Sequence, residues 1–432
     1  MTESTPPSGP GTVAPHDVTE TALHDDAPPP RLLIPLLVVA AFGLYLASLA
    51  PPIITLAIRI AGLDPTGKTV ALSTVVLIGA VVSIVSLPVC GALSDRTRSR
   101  FGRRRPWLVG GAVAGLLGLG IAGAVPSVIG VVIGFAIASL GYAAAFAGFL
   151  PLIPEFVPDH LRARLSGLIG FVVAIAVLVG VYLGSLFVAY PLLMLTLPAV
   201  VGVLGAVALA AVLRRVDRPT GAVRPAFGVR EFLASYWLRT GGDRDFAWNW
   251  VSRLLVGVAY VGVQTFAVFF LTDTAGMTTE AAAGEYARIT AISTPLSIAC
   301  FLLSGFLSDR LGRRRAFVVV GAGLIAAGLV VAAMTQSVSG FLIAWLVLTV
   351  GQSIYLTVDI AIAAAVVPDD AQAGKAMSVY QVATVLPNIV APVAAVAVLT
   401  ISGGANYPAF FAVLAAGAVL AAVAVQFVRR IR

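Results

Sequence analysis

An acid buried in an apolar run with a basic counterpart, and an acidic–basic loop that occurs twice, mark where this sequence can do chemistry. Asp359 stands in an otherwise apolar run, 338–366, and Arg253 in another, 247–271. Asp359 is about seven residues from the end of its run, roughly 10 Å deep at 1.5 Å per residue, and Arg253 is at a similar depth from the same face. A short carboxylate cannot reach an interface from that depth, so a partner inside the protein is required. Burial disfavours the charged form of a carboxylate and a nearby guanidinium favours it. A group balanced between the two can take up and release a proton. Asp359 is therefore a candidate for proton coupling with Arg253 as its modulator. A static pair that ties two helices together is the other reading.

The second pattern is a repeat. GALSDRTRSRFGRRR at Gly91–Arg105 returns as GFLSDRLGRRR at Gly305–Arg315, with Asp95 and Asp309 214 residues apart. Each aspartate ends an apolar run, where the helix dipole is negative, so it needs an arginine or the positive N-terminus of a neighbouring helix. Gly91 and Gly305, one turn earlier, let such a neighbour come close. Basic loops that only set topology would explain the arginines, but not a Gly-x-x-Ser-Asp-Arg repeated in register.

These residues must be carried by membrane helices. The chain has 432 residues, of which 59% are hydrophobic and 11% charged, and its mean hydropathy is +0.99. Too few charges are present to cover a soluble surface. Twelve runs reach the roughly 20 apolar residues a bilayer span needs. The first six are 32–57, 69–93, 106–125, 127–150, 166–189 and 191–213. The second six are 247–271, 285–307, 316–335, 338–366, 376–401 and 407–428. A repeat of half the chain's length in such a protein predicts two pseudo-symmetric six-helix bundles, all-α, at 31–213 and 246–432. Residues 1–30 read as a disordered tail without a cleaved signal, and 214–245 as a linker.

The net charge of +8 is a topology signal, not a nucleic-acid footprint. All of the 28 basic residues except Arg59, Lys68, Arg253 and Arg288 fall on one side of the predicted spans. By the positive-inside rule both termini are cytoplasmic in a plasma-membrane protein. Arg59 is expected to snorkel outward, and Glu285–Arg288 to form a solvated i, i+3 pair. Cys90 and Cys300 read as small buried hydrophobes. Trp107, Trp237, Trp248 and Trp250 read as an interfacial belt.

The runs of the first half hold no internal charge and no Asn or Gln, only hydroxyls, among them Tyr45 and Tyr142. The second half adds Gln264, Gln352, Tyr355, Gln381 and Asn388. These seven are the candidate contacts for a small-molecule substrate. No metal cluster, cofactor motif, Walker-type phosphate loop or catalytic constellation is visible, so neither an enzyme nor an ATP-driven pump is expected.

Gly-x-x-x-Asp-Arg-x-Gly-Arg-Arg after the second and eighth of twelve spans resembles the repeated loop motif of the major facilitator superfamily. The resemblance covers 31–428. It assigns Gly91, Asp95, Arg96, Gly102, Arg103 and Arg104, and again Gly305, Asp309, Arg310, Gly312, Arg313 and Arg314, to a gating latch. It implies that Asp95 meets the start of span 11 near Lys375–Ser378, and that Arg103 or Arg104 meets Glu155. By pseudo-symmetry Asp309 and Arg313 or Arg314 close the other side. The longer first copy, SRFGRRRP, and the repeated Val-Pro-Asp after spans 4 and 10 are similar to the sucrose-type branch of the glycoside:cation symporters. The Arg and Asp that plant sucrose carriers hold in span 4 have no match here. The implied function is alternating-access transport by a monomer without cofactors, as proton-coupled symport of a sugar-like solute. Efflux of amphipathic molecules, which suits the apolar first half, and a non-transporting sensor are the alternatives.

Overall fold

The computed structural model describes residues 32–97, 99–214, 244–366, 380, 382–401 and 406–428. The tail and the 215–243 linker lie outside the described residues, as does 367–379, which holds the second Val-Pro-Asp and the expected start of span 11.

Among the described residues, twelve helices are long and apolar enough to cross a bilayer. The first six are α1 (Leu33–Leu63), α2 (Lys68–Arg96), α3 (Arg105–Ala124), α4 (Val128–Phe156), α5 (His160–Leu186) and α6 (Pro191–Leu213). The second six are α7 (Arg244–Thr274), α8 (Thr279–Ser308), α9 (Arg314–Met334), α10 (Val338–Asp359), α11 (Val382–Leu399) and α12 (Tyr407–Gln426). The chain is an all-α membrane protein built from two six-helix bundles. In α1 the pair Pro51-Pro52 removes two consecutive N–H donors, and the helix passes through one π turn at Pro51–Thr55. Arg59, expected to snorkel, instead donates to the carbonyls of Ala122 and Val125 at the end of α3, at 3.3 and 2.9 Å.

The two bundles repeat each other's packing. In the first half α3 packs on α4, α1 on α6 and α2 on α4; in the second, α9 packs on α10, α7 on α12 and α8 on α10. Glycines explain the closest of these approaches. A Cβ at Gly111, Gly118 or Gly141 would stand 2.4 Å from a backbone nitrogen across the α3–α4 interface. Gly321, Gly328 and Gly351, each 210 residues later, hold the same places between α9 and α10, somewhat less tightly, where a Cβ would come within 2.7–2.9 Å of backbone. Without a water-to-lipid driving force between spans, such close backbone packing is what holds membrane helices together.

Across the halves α2 meets α11, α5 meets α8 and α1 meets α7. The contact is one-sided. Between residues 71 and 80 of α2, Ala71, Leu72, Ser73, Val75, Val76, Gly79 and Ala80 are buried; from 81 to 96 only Ser86, Cys90 and Ser94 are, one narrow stripe at i, i+4 spacing. On α8 burial runs from Ala282 to Thr294, and beyond it only Ser304 and Ser308 are buried among the described side chains. Leu302 and Phe306 there are 71% and 66% exposed. Burial between the halves is thus concentrated on the face opposite the repeated loops and thins toward them, the pattern of a cleft that opens on the loop side.

Candidate functional site

Three helices of the second half build a polar cluster beside this cleft. Asp359, on α10, is fully buried. Its Oδ2 accepts from Arg253 Nη1 on α7 and from the Tyr380 hydroxyl at the approach to α11. The same Nη1 donates to Tyr380 Oη at 2.8 Å, and the guanidinium carbon stands 4.4 Å from the centre of the Tyr380 ring. Nε and Nη2 of Arg253 both donate to Thr384 Oγ1, at 3.1 and 3.0 Å. Asn249, one turn before Arg253 and buried, lies beside the carboxylate. Ser252 and Tyr355, also buried, share a hydrogen bond of 2.9 Å next to the pair.

The local sequence explains this convergence. Residues 249 and 253 are one turn apart on α7, as are Tyr380 and Thr384 on the chain entering α11, so each pair shares a helix face. Desolvating two charges is costly unless hydrogen bonds compensate; Tyr380 and Thr384 supply such bonds and Asn249 lies alongside, while Asp359 Oδ1 has no hydrogen-bond partner among the described residues. Arg253 is only 11% exposed and reaches the cleft edge, where Thr384 is exposed. A carboxylate held by a guanidinium and a phenol can bind a proton, release the guanidinium, and reverse both steps.

At the loop face, Glu155 receives both arginines that were alternatives in the sequence. Arg103 and Arg104 each reach its Oε1 at 2.6 Å, and Arg104 also reaches Asp95 at 2.6 Å and Ser94 Oγ at 3.1 Å. Burial works against the charge of Arg104, which is 3% exposed, but Glu155 and Asp95 outweigh it and the guanidinium's pKa is raised. Arg96 is exposed at the end of α2. Gly91 meets open space, and Gly305 lies against Thr357 of α10. Gly102 and Gly312 adopt φ of 93° and 62°, so the repeated glycine serves a left-handed turn in both copies. In the second copy Arg310 and Arg313 are exposed and Arg314 half-buried. The Asp309 side chain and Lys375–Ser378 lie outside the described residues.

The candidate substrate contacts scatter. Tyr45 stacks at a tilt on Phe146, 4.9 Å between centroids. Tyr142 is buried with its ring against Gly115, and its hydroxyl has no partner among the described residues. Gln264, Gln352 and Asn388 are half-buried; Gln352 Oε1 lacks a partner among the described residues, and Asn388 donates to Val385 O at 3.3 Å. Tyr355 belongs to the Asp359 cluster, and Gln381 lies outside the described residues. Sequence reasoning passed over Tyr380 and Thr384. The signal was present: Tyr380, Thr384 and Asn388 form a polar stripe at i, i+4, i+8 on an apolar segment. It also passed over a second aromatic group, in which Trp345 lies 6.2 Å from Tyr260 and 5.3 Å from Tyr286 and donates to Ser293 Oγ.

Two bundles related by a half-chain repeat, parted on one face and joined on the other, with a charged cluster on the second half's side of the cleft, have the architecture of a membrane transporter. The family model described as Major Facilitator Superfamily matches residues 32–298 and 284–432, and the chain belongs to that superfamily. An uncharacterized symporter of Synechocystis sp. is 47% identical over 51 residues, a match that spans 12% of this chain and 9% of that protein. Among solved structures, the chain resembles a bacterial homologue of the human lysosomal transporter Spinster in an inward-facing, unoccupied conformation, with TM-score 0.65, 16% identity, and 92% of this chain and 95% of that one covered. The peptide transporter POT with sulfate gives TM-score 0.70 at 13% identity, covering 91% and 94%. The nucleoside transporter NupG gives 0.68 at 15% identity, covering 91% and 99%. At these identities the likeness is one of fold.

Proposed function

We propose that the protein is a proton-coupled secondary transporter that symports a sugar-like solute by alternating access, with Asp359 as the proton site and Arg253 as its modulator. The observation that carries this reading is the Asp359–Arg253–Tyr380 cluster, an acid with no exposure whose guanidinium partner borders the cleft. Protonation of Asp359 frees Arg253 to bind a hydroxyl or carbonyl of the solute. Loss of the proton draws the guanidinium back to the carboxylate and expels the solute. Gln264, Gln352 and Asn388, half-buried in the same half, offer amide groups to a polar solute. The loop face is cytoplasmic, as are both termini, in the plasma membrane, so the cleft is inward-open. The Asp95–Arg104–Glu155 cluster is half of the latch that closes this face, and the second loop copy around Asp309 is its counterpart. The working unit is the monomer.

Reconstitution in liposomes with an imposed pH gradient and labelled mono- and disaccharides tests this. Gradient-driven accumulation lost in Asp359→Asn, with exchange of labelled solute retained, is the expected result. Accumulation unchanged in the variant would remove the proton role. A specific feature favours efflux of amphipathic molecules as the second reading: Tyr45 and Tyr142, the first half's aromatic candidates, pack on Phe146 and Gly115. Gradient collapse by amphipathic cations, with no sugar movement, would select it.

A further inference from the structure

Three arginines stand in succession at the start of α3, and they part company. Arg103 and Arg104 turn to Glu155 and Asp95. Arg105, the next residue, also lines a groove of about 330 Å³ between α3 and α6, together with Phe101, Val109, Gly110, Val207 and Arg214. We infer that this groove binds the headgroup and upper acyl chain of an anionic phospholipid.

The groove lies on the perimeter of the first half, because contact with the other half is made by α1, α2 and α5. Its two charged lining residues are both arginines, one at the start of α3 and one just past the end of α6, and the ends of bilayer spans are where lipid headgroups lie. Its floor is apolar, and a Cβ at Gly110 would meet nothing within 4 Å, so the glycine leaves room for a chain. Exposed side chains continue the floor toward the bilayer centre: Val113 and Leu117 on α3, Val207 and Leu204 on α6. From Arg214 to Leu204 the trough runs about 15 Å along the helix. Paired guanidiniums above an apolar trough match an amphiphile with a phosphate head, and basic recesses between spans on the positive side are where such headgroups bind. A free phosphate would make no use of the trough. This site is independent of the transport reading.

Native mass spectrometry of the full-length protein, released from detergent with phosphatidylglycerol or phosphatidylcholine of identical chains, tests the inference. The wild type should retain phosphatidylglycerol about thirtyfold more than phosphatidylcholine, as expected for two arginines at about 1 kcal/mol each at a lipid surface. Arg105→Gln with Arg214→Gln should erase the preference. Gly110→Leu, which fills the trough without changing charge, should lower retention of the lipid about as far. Arg164→Gln, a charge loss on the same face outside the groove, should leave it intact. Equal retention of both lipids by the wild type, or a preference that survives the double substitution and Gly110→Leu, would overturn the site. Displacement of the lipid by millimolar inorganic phosphate would overturn the chain-binding part. Dimers that vanish in Gly110→Leu would assign the groove to a second copy of the chain instead.

Discussion

Lys68, at the start of α2, and Asp273, near the end of α7, form an ion pair that joins the two halves on the face opposite the repeated loops. Asp273 also accepts from Tyr407 on α12 at 2.8 Å, and Lys68 donates to Thr272 at 3.2 Å and lies 4.9 Å from the Phe269 ring centre. Both side chains are less than one-fifth exposed. The pair exists only while this face is closed, so it biases the equilibrium toward the state open at the loops. Asp273→Asn should weaken that closure by about 1 kcal/mol, a shift of about fivefold in populations. Spin labels placed across the face on α2 and α7 would report a longer-distance population. The charge-reversed pair Lys68→Asp/Asp273→Lys should restore the short distance; an unaltered distribution in Asp273→Asn would show that the pair is incidental.

The Asp359 cluster predicts a separation of stability from transport. Arg253→Met leaves a fully buried carboxylate without its guanidinium, which costs about 3–5 kcal/mol. Combining it with Asp359→Leu removes the stranded charge, and stability should return close to wild type. Transport should not return. Thermal unfolding in detergent and solute uptake, measured on all three variants, check this. A double variant as unstable as Arg253→Met would mean that the two residues do not act as one energetic unit.

Glu155 predicts an asymmetry between two adjacent arginines. Arg104 is almost wholly buried and bonds Glu155, Asp95 and Ser94, whereas the Arg103 side chain is 18% exposed and bonds Glu155. Arg104→Gln should therefore destabilise the first half by about 2 kcal/mol, and Arg103→Gln by less than about 1 kcal/mol. Glu155→Gln should resemble the Arg104 variant. Equal effects from the two arginine substitutions would place the energetic weight elsewhere.

The architecture was legible because it rests on run length, hydropathy and a half-chain repeat, all of which are one-dimensional. The Asp359–Arg253 pair was legible for a similar reason, since depth follows from counting residues along a helix. What resisted was lateral aim. Nothing in the sequence says that the Tyr142 ring lies over Gly115, because that depends on how far α3 and α4 approach. Lys68 and Asp273 were opaque because a charge at the end of a span reads by default as solvated, and their pairing needs both halves assembled. Arg59 misled on the same ground: the carbonyls of Ala122 and Val125 that attract it belong to a neighbouring helix. Arg103 and Arg104 stayed alternatives until three dimensions showed Glu155 serving both.

The 210-residue spacing of the interface glycines predicts that the two halves fail alike. A methyl at Gly118 would stand 2.4 Å from Ala138 N, and one at Gly328 2.9 Å from Ala344 O. Both obstacles are helix backbone, so the helices themselves must separate. Gly118→Ala should thus destabilise by about 1–3 kcal/mol, the range for overpacking, despite alanine's better helix propensity. Gly328→Ala should act in the same direction and less strongly, since its contact is half an ångström longer. Gly323, on the same helix as Gly328, meets open space, and Gly323→Ala should be neutral or stabilising. Thermal shift measurements on the three variants give the order directly. If Gly323→Ala lowered the melting temperature as much as Gly328→Ala, close packing of α9 on α10 would not be what the glycine provides.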